Sequence, residues 1–286
     1  MSFKHYHLVT QTNLHCGSGQ SVGIVDQPII RERATNLPIV PGATIRGVLR
    51  AHLSTDGKES ALIKSLFGPN SKDGSESFVG AMSITDAHLL LLPVRSLYGI
   101  VAYITCPFIL RRYKKELKLP IELPATDTAK ARYANENKNV ASDKVVFEEL
   151  DIEAVKCDKA QQWAKQLSEI IYDKDETAKT DFQQHFVIVP DDVFAYLAET
   201  ATEIRTRIRI NLETGVVDGG ALWTEESLPA ESVLWGRYSL NERAQGYSVE
   251  HADEFNKQAN SVLLQMGGNA GVGNGLVQLI MQEAKK

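Results

Sequence analysis

Residues 205–229 constrain the fold more than any other part of the chain. They read RTRIRINLETGVVDGGALWTEESLP, in which two alternating arms flank Glu213-Thr214-Gly215. Alternation with period two is typical of a β-strand, and a glycine between two such arms is typical of a hairpin turn. We therefore predict a β-hairpin here.

Three arginines recur at period two in the first arm of this hairpin. Because alternate side chains of a strand lie on the same side, Arg205, Arg207 and Arg209 share one face. The forked guanidinium group suits phosphate oxygens, so this row is a candidate anion-binding surface. An exposed strand with surface ion pairs is the alternative.

Strand and helix patterns both occur along the rest of the chain, which favours the α+β class. Alternation predicts a strand within residues 1–16, and β-rich runs fill residues 78–110. After Pro41-Gly42, apolar residues recur at helical spacing, with Thr44 as the candidate N-cap. Between about 111 and 148 the composition turns polar and charged, which favours an insertion or mobile loop over core.

Helical spacing predicts three further helices in the second half of the chain. The first spans about residues 158–171. The second begins at Asp191-Asp192, with Val193, Tyr196 and Leu197 facing inward. The third spans about residues 250–265, with Phe255, Ala259, Val262 and Leu263 facing inward. The last helix leads through the loop GGNAGVGNG into a strand, LVQLIM.

Charge is unevenly distributed along the chain. In total, 31 Lys and Arg face 36 Asp and Glu, a formal net charge of −5, which argues against a surface that is basic all over. Residues 95–118 nevertheless carry six basic side chains and one acidic one, whereas residues 172–200 carry two basic and seven acidic ones. The net charge is therefore an average over acidic and basic segments, and it does not exclude a local basic face.

Cysteine usage and the N-terminal sequence indicate the compartment. Cys16, Cys106 and Cys157 lie far apart and form no C-x-x-C pair, which favours a reducing environment over a disulfide framework or a cysteine zinc site. The first residues lack the apolar segment of a signal peptide, and no apolar run approaches the roughly 20 residues that span a bilayer. We expect a cytoplasmic protein with no membrane partner.

Two glycine motifs point to chemistry that their flanking sequence does not support. Residues 19–23 match the G-x-S-x-G elbow of serine hydrolases, but β-like residues and a proline follow Ser21 where the elbow needs a helix. Residues 267–275 are not a dinucleotide fingerprint, because Leu276 stands at the third glycine position. Glycine N–H groups can still approach a phosphate, so contact with a nucleic-acid backbone and a tight structural turn both stay open.

A histidine and an aspartate flank the first glycine-rich loop. His15 precedes this loop and Asp26 follows it, and no histidine pair has the spacing of H-x-x-x-H or H-E-x-x-H. A loop of this length can fold back and bring an imidazole and a carboxylate to one site, where the carboxylate would suit a hydrated divalent cation. Two unrelated, solvated side chains are the alternative.

Three blocks of the sequence together resemble one protein family. They read LHCGSGQSVGIVDQPIIRERATNLPIVPGATIRGVLR, RTRIRINLETGVVDGGALWTEESLP and LLQMGGNAGVGNGLVQL. In order and spacing they resemble the RAMP-superfamily backbone nuclease subunits of type III-B CRISPR (Cmr) effector complexes, specifically the fourth-numbered subunit family. The resemblance implies an α+β fold, with a ferredoxin-like (RRM-type) RAMP core, large insertions and a projecting β-hairpin thumb.

The resemblance also implies how the chain is divided. It indicates a single RAMP domain over residues 1–286, with the core formed by about 1–110 and 229–286. Insertions then occupy about 111–200, and the thumb hairpin occupies about 201–228.

The function that the resemblance implies is RNA-guided endoribonuclease activity. Such a subunit binds CRISPR RNA, stacks in several copies beside other Cmr subunits, and cleaves complementary target RNA at regular intervals with a divalent metal ion, Mg or Mn. RNA carries its own nucleophile, the 2′-OH, so cleavage requires mainly orientation and charge stabilisation. A non-catalytic filament subunit of the same superfamily, which only binds the guide, is the alternative.

The family's functional residues map onto specific positions of this sequence. Asp26 matches the key catalytic aspartate and candidate metal ligand, His15 matches the histidine before the glycine loop, and Glu225 matches the acid near the hairpin's end. Ser227 replaces a family tyrosine, so a catalytic tyrosine is not carried over. The resemblance and the basic and glycine patterns together predict RNA contacts at Arg46, Arg50, Arg205, Arg207, Arg209, Gly268, Gly271, Gly273 and Gly275.

Overall fold

The computed structural model describes residues 3–19, 25–54, 60–70, 77–125 and 129–281. Its strands are β1 (Lys4–Thr10), β2 (Ile39–Val40), β3 (Met82–Ile84), β4 (Ala87–Ser96), β5 (Ile100–Thr105), β6 (Ala131–Tyr133), β7 (Lys144–Phe147), β8 (Leu150–Lys156), β9 (Phe186–Ile188), β10 (Glu203–Ile210), β11 (Val217–Ser227), β12 (Val233–Leu240), β13 (Val262–Gln265) and β14 (Leu276–Met281). Its helices are α1 (Gly42–Leu53), α2 (Ala61–Phe67), α3 (Pro107–Leu117), α4 (Asp158–Ile171), α5 (Glu176–His185), α6 (Asp191–Thr200) and α7 (Val249–Gln258). Within these ranges no helix has the length and apolar character needed to cross a membrane.

Strand β1 lies in the middle of one half of the main sheet. The strands there follow the order β13–β14–β1–β12–β4, and β1 pairs antiparallel with both β12 and β14. Leu8 is opposite Leu234 on one side and Leu279 on the other, and all three are buried. Apolar side chains of the two chain ends therefore form one continuous core.

Both faces of this half-sheet are covered by helices. On one face, Nε2 of His7 lies 2.8 Å from the hydroxyl of Tyr113 in α3. On the other face, Tyr238 of β12 packs against Phe255 of α7 with 6.0 Å between ring centroids. Because successive side chains of a strand lie on opposite faces, alternating buried residues of these strands pack against helices on both sides of the sheet.

The second half of the sheet closes on itself. Strands follow the order β4–β5–β9–β6–β8–β7, and β7 pairs back to β4 at Ser96 and Phe147. The expectation that the stretch between about 111 and 148 is a loop rather than core is wrong for much of it, since Tyr113, Val145 and Phe147 are fully buried. The charged composition there belongs to the exposed sides of elements whose other sides are core.

Several predicted boundaries need correction. Helix α1 begins at Gly42 and has no side-chain cap, so Thr44 is not the N-cap; Asp86 Oδ1 instead accepts the Gly42 N–H at 2.8 Å. The β-rich run of residues 78–110 ends at Thr105, because α3 begins at Pro107, a residue suited to the first helical turn. The strand expected within residues 1–16 is confined to Lys4–Thr10.

The helices of the second half were predicted with mixed success. Helix α4 spans Asp158–Ile171, as predicted. Helix α6 begins at Asp191 as predicted, but it buries Phe194, Leu197 and Ala198 and leaves Tyr196 exposed, so the predicted inward face is partly wrong.

The last predicted helix is too long. Helix α7 ends at Gln258, and Val262 and Leu263 belong to β13, because Ser261 adopts a left-handed backbone conformation (φ 54°) that turns the chain. The loop GGNAGVGNG therefore joins two antiparallel strands, β13 and β14, rather than a helix and a strand.

Strands β10 and β11 form a two-stranded antiparallel sheet of their own. The register places Arg205 opposite Glu225 and Thr206 opposite Thr224. The arginine row and Glu225 therefore lie on one face of the hairpin, and Thr206 and Thr224 lie on the other.

Candidate functional site

The first glycine-rich loop folds back so that its two ends pair. Ser18 N–H donates to the carbonyl of Pro28 at 3.0 Å, and Ile30 N–H donates to the carbonyl of Cys16 at 2.8 Å. The residues that follow His15 therefore pair with the residues that follow Asp26 in one short antiparallel ladder. Ser21, the serine of the G-x-S-x-G motif, lies outside the described residues.

The segment that carries Asp26 docks on strand β11 like an added parallel strand. Gln27 N–H donates to the carbonyl of Thr224 at 3.0 Å, and Glu226 N–H donates to the carbonyl of Gln27 at 3.0 Å. The resulting bridge is parallel and joins Gln27 to Glu225. The end of the hairpin therefore sets the position of the segment.

Asp26 is exposed but held in place by Thr224. Oδ2 of Asp26 accepts the backbone N–H of Thr224 at 2.7 Å and its hydroxyl at 2.9 Å. These hydrogen bonds, the backbone one first, hold the pKa of the Asp26 carboxyl below its usual range. The site therefore presents an ionised carboxylate at neutral pH.

His15 is held by the same strand, β11, at Glu226, two residues after Thr224. Its Nδ1 lies 2.6 Å from the carbonyl oxygen of Glu226, which can only accept, so Nδ1 carries the hydrogen. In the neutral ring Nε2 then holds the free lone pair. A Cβ at Gly17 would lie 2.8 Å from Nε2, and one at Gly268 would lie 3.2 Å from Cδ2, so the two glycines leave the imidazole its space.

The side chain of Glu226 links several of these segments. Oε1 accepts hydrogen bonds from Arg31 Nη2 at 2.5 Å and from the Thr202 hydroxyl at 2.9 Å. Oε2 accepts the N–H of Ile29 at 3.0 Å. Together with its backbone contacts to His15 and Gln27, Glu226 joins the loop to the base of the hairpin.

Glu225 is buried and already has two partners. Oε2 lies 3.1 Å from Nε of Arg207, and Oε1 accepts a hydrogen bond from Nδ2 of Asn269 in the second glycine loop. The carboxylate therefore ties the hairpin to that loop.

The predicted RNA-contacting arginines differ in what they contact. Arg207 pairs with buried Glu225, whereas Arg205 and Arg209 make exposed pairs with Glu203 at 3.4 Å and with Asp218 at 3.6 Å. Nη2 of Arg46 donates to the carbonyl of Phe67 at 2.8 Å. Burial, and then the neighbouring charge of Arg50 one turn away, lowers the pKa of Arg46.

The second glycine loop combines structural and open positions. Gly275 has φ 82°, and a Cβ there would lie 2.0 Å from a backbone oxygen of Met266, so this glycine is required by the turn. A Cβ at Gly271 or Gly273 would meet nothing within 4 Å. Gly275 therefore supports the tight-turn interpretation, and contact with a nucleic-acid backbone stays a prediction for Gly271 and Gly273.

The described residues contain no group of three or more His, Cys, Asp or Glu side chains that could hold a metal ion. Mg²⁺ commonly binds through one or two carboxylates and completes its shell with water and substrate phosphates. Asp26 Oδ1 accepts no hydrogen bond from a described residue, so this chain fits a single-carboxylate site.

The sequence predicted His15, Asp26 and Glu225 as site residues but not the residues that hold them in place. Thr224 and Arg31 carried no recognisable motif signal. In the sequence Glu226 stands beside Glu225, and no pattern indicates that Glu226 is the one that joins the loop to the hairpin.

Known proteins share this sequence and architecture. A sequence model described as the RAMP superfamily matches residues 7–278. The CRISPR system Cmr endoribonuclease Cmr4 of Pyrococcus furiosus is 38% identical over 294 residues, which cover 96% of this chain and 94% of that protein. The crystal structure of oligomeric Cmr4 from the same organism superposes with a TM-score of 0.77 and 29% identity over the whole of both chains.

A more distant structure shares the fold alone. A chain from the cryo-EM structure of the type III-B Cmr-β complex bound to cognate target RNA superposes with a TM-score of 0.75 at 17% identity, over 98% of this chain and 97% of that one. With the resemblance of its three sequence blocks thus extended to nearly its whole length, the chain belongs to the RAMP superfamily.

Proposed function

We propose that this chain is an RNA-guided endoribonuclease and a backbone subunit of a type III-B CRISPR effector complex. The observation that carries the proposal is its 38% identity to the Cmr endoribonuclease of P. furiosus over 96% of the chain. The site adds support, because a carboxylate and an imidazole are both held on strand β11, and no described residue donates to Asp26 Oδ1 or His15 Nε2. The chain would bind CRISPR RNA and cleave complementary target RNA at regular intervals.

The residues suit a reaction in which RNA supplies the nucleophile. Attack of a 2′-oxygen on the adjacent phosphorus breaks the bond from phosphorus to the 5′-oxygen, and the 2′-OH loses a proton while the leaving oxygen gains one. Asp26 and His15 are the proposed groups that orient the 2′-OH and move these protons. We assign Glu225 the supporting task of holding the hairpin against the second glycine loop.

A divalent metal ion, Mg²⁺ or Mn²⁺, is part of the proposal. Asp26 would hold it through Oδ1, with the other ligands drawn from water and RNA phosphates. When bound, such an ion supplies Lewis-acid stabilisation of negative charge on the phosphate oxygens.

The strand order supports a ferredoxin-like interpretation of the core. Elements β1, α1, β4, β12, α7 and β14 follow one another as β-α-β-β-α-β, and their strands lie in the order β14–β1–β12–β4. We interpret residues 1–286 as a single RAMP domain, with a core from about 1–110 and 229–286, insertions at about 111–200 and a thumb hairpin at about 201–228.

The proposed RNA-binding surface runs from α1 through the hairpin to the second glycine loop. Arg205 and Arg209 support this assignment because their acidic partners are exposed, so a phosphate can compete for them. Open space beside Gly271 and Gly273 leaves room for a nucleotide backbone. The full proposed set is Arg46, Arg50, Arg205, Arg207, Arg209, Gly268, Gly271, Gly273 and Gly275.

The proposed partners are CRISPR RNA, target RNA, other Cmr subunits and further copies of this chain. The description of the P. furiosus relative as oligomeric supports self-association. A helical stack of copies along the guide would space the cleavage sites evenly.

Cleavage of complementary RNA by the assembled complex tests the proposal. Complexes that contain Asp26→Ala should assemble on guide RNA but leave the target intact, and chelation of divalent metal should stop the wild type. The control is Asp151→Ala, which removes an exposed aspartate of β8. Normal cleavage by the Asp26→Ala complex would assign the chain to the alternative, a non-catalytic subunit that binds the guide.

A further inference from the structure

Thr224 contacts Asp26 more extensively than docking of the segment requires. Its backbone N–H and its hydroxyl both donate to Asp26 Oδ2, at 2.7 and 2.9 Å. The same hydroxyl oxygen accepts the N–H of Asp26 at 3.0 Å. The Thr224 hydroxyl is therefore bonded in both directions to one residue, which lies 198 positions away in the chain.

These bonds act on one oxygen of the carboxylate, and no described residue donates to the other. An exposed aspartate side chain normally samples several rotamers, and fixing one of them costs conformational entropy. Two donors on Oδ2 hold the carboxylate in one orientation before any substrate arrives. Oδ1 accepts no hydrogen bond from the described residues, so the fixed side chain presents this oxygen in one orientation.

We propose that the Thr224 hydroxyl is a positioning group for cleavage, which holds Asp26 so that Oδ1 keeps one fixed orientation at the cleavage site. The inference rests on the proposed function, because that function gives Asp26 its reaction. Thr224 is not itself a catalytic residue, since Asp26 occupies its hydroxyl. Preorganisation of a reacting group acts on the rate of the chemical step rather than on substrate affinity.

Three variants separate positioning from a structural role. Thr224→Val keeps the shape and the backbone N–H but removes the hydroxyl, whereas Thr224→Ser keeps the hydroxyl. Thr206→Val is the matched control, because Thr206 is the cross-strand partner of Thr224 on the same face and makes no described bond to Asp26. Each variant is assembled with guide RNA and tested for single-turnover cleavage over a range of complementary-target concentrations.

We expect Thr224→Val to lower the maximal rate by about tenfold or more, the effect of losing one hydrogen bond to a charged group. Guide binding and the half-saturating target concentration should stay within about twofold of wild type. Thr224→Ser and Thr206→Val should cleave within about twofold of the wild-type rate. Thermal unfolding of each variant shows whether the fold is intact.

Two results would overturn the inference. One is a wild-type rate for Thr224→Val, and the other is an equal loss in Thr224→Ser or Thr206→Val, which would assign Thr224 a structural role. The Asp26→Ala complex distinguishes failure of the proposed function from failure of the role assigned to Thr224. If that complex cleaves, the proposed function fails; if it does not cleave while Thr224→Val does so normally, only this inference fails.

Discussion

Replacement of Glu226 by alanine tests how the candidate site is held together. The side chain of Glu226 is 7% exposed and that of Arg31 is 16% exposed, and the two meet at 2.5 Å. The substitution leaves a mostly buried guanidinium without its anion, and leaves the Thr202 hydroxyl and the Ile29 N–H without an acceptor. Removing one partner of a buried ion pair lowers the free energy of unfolding by about 3–5 kcal/mol.

We expect Glu226→Ala to lower the free energy of unfolding by about 3 kcal/mol, the lower end of this range, because Arg31 retains hydrogen bonds to two backbone carbonyls. Urea unfolding of the full chain measures it directly. The matched control is Asp151→Ala, which removes a similar 2.8 Å pair whose side chains are about half exposed and should cost at most about 1 kcal/mol.

The double variant with Arg31→Ala should show a coupling of at least about 1.5 kcal/mol between Arg31 and Glu226. The reasoning is refuted if Glu226→Ala costs no more than Asp151→Ala. It is equally refuted if the two single substitutions add without coupling.

Three further substitutions test other parts of the structure. Gly275→Ala should destabilise the chain by more than about 2 kcal/mol, because the turn has φ 82° and a backbone oxygen lies 2.0 Å from the new Cβ; Gly271→Ala, in open space, should leave the thermal midpoint unchanged. Hydrogen bonds from Arg112 lower the pKa of Glu32 from 4.5 to about 2, so this stabilisation is present above pH 4.5 and is lost as the pH falls through about 2. The difference in unfolding free energy between wild type and Arg112→Ala should therefore shrink between about pH 6 and pH 3, and a difference that grows would contradict the assignment. Arg209→Ala should reduce the salt slope of guide-RNA binding by about 1 and change stability by less than about 0.5 kcal/mol, and an unchanged slope would remove Arg209 from the proposed RNA surface.

Local sequence patterns predicted elements whose side chains repeat regularly. Helix α4 was predicted at its observed bounds because its apolar residues recur at helical spacing. The same rule failed beyond Gln258, where Val262 and Leu263 fit helical spacing but follow a turn at Ser261. Charge content failed around Tyr113, because an amphipathic helix can be strongly basic and still bury one face.

The candidate site was predictable only in part because its contacts join distant parts of the chain. The resemblance placed Asp26 and His15 without showing what holds them. The choice of Thr224 as partner depends on the register between the Asp26 segment and β11, which no local pattern encodes. The same register decides that Glu226 binds Arg31 while its neighbour Glu225 binds Arg207.

The most direct test of the central claim mixes wild-type and Asp26→Ala chains in known ratios before the complexes are assembled on guide RNA. If each copy of this chain carries its own cleavage site, cutting at every position of the target should fall in proportion to the fraction of variant. If a partner subunit cleaves the RNA, cutting will be independent of the mixing ratio, and the assignment of the reaction to Asp26 will be wrong.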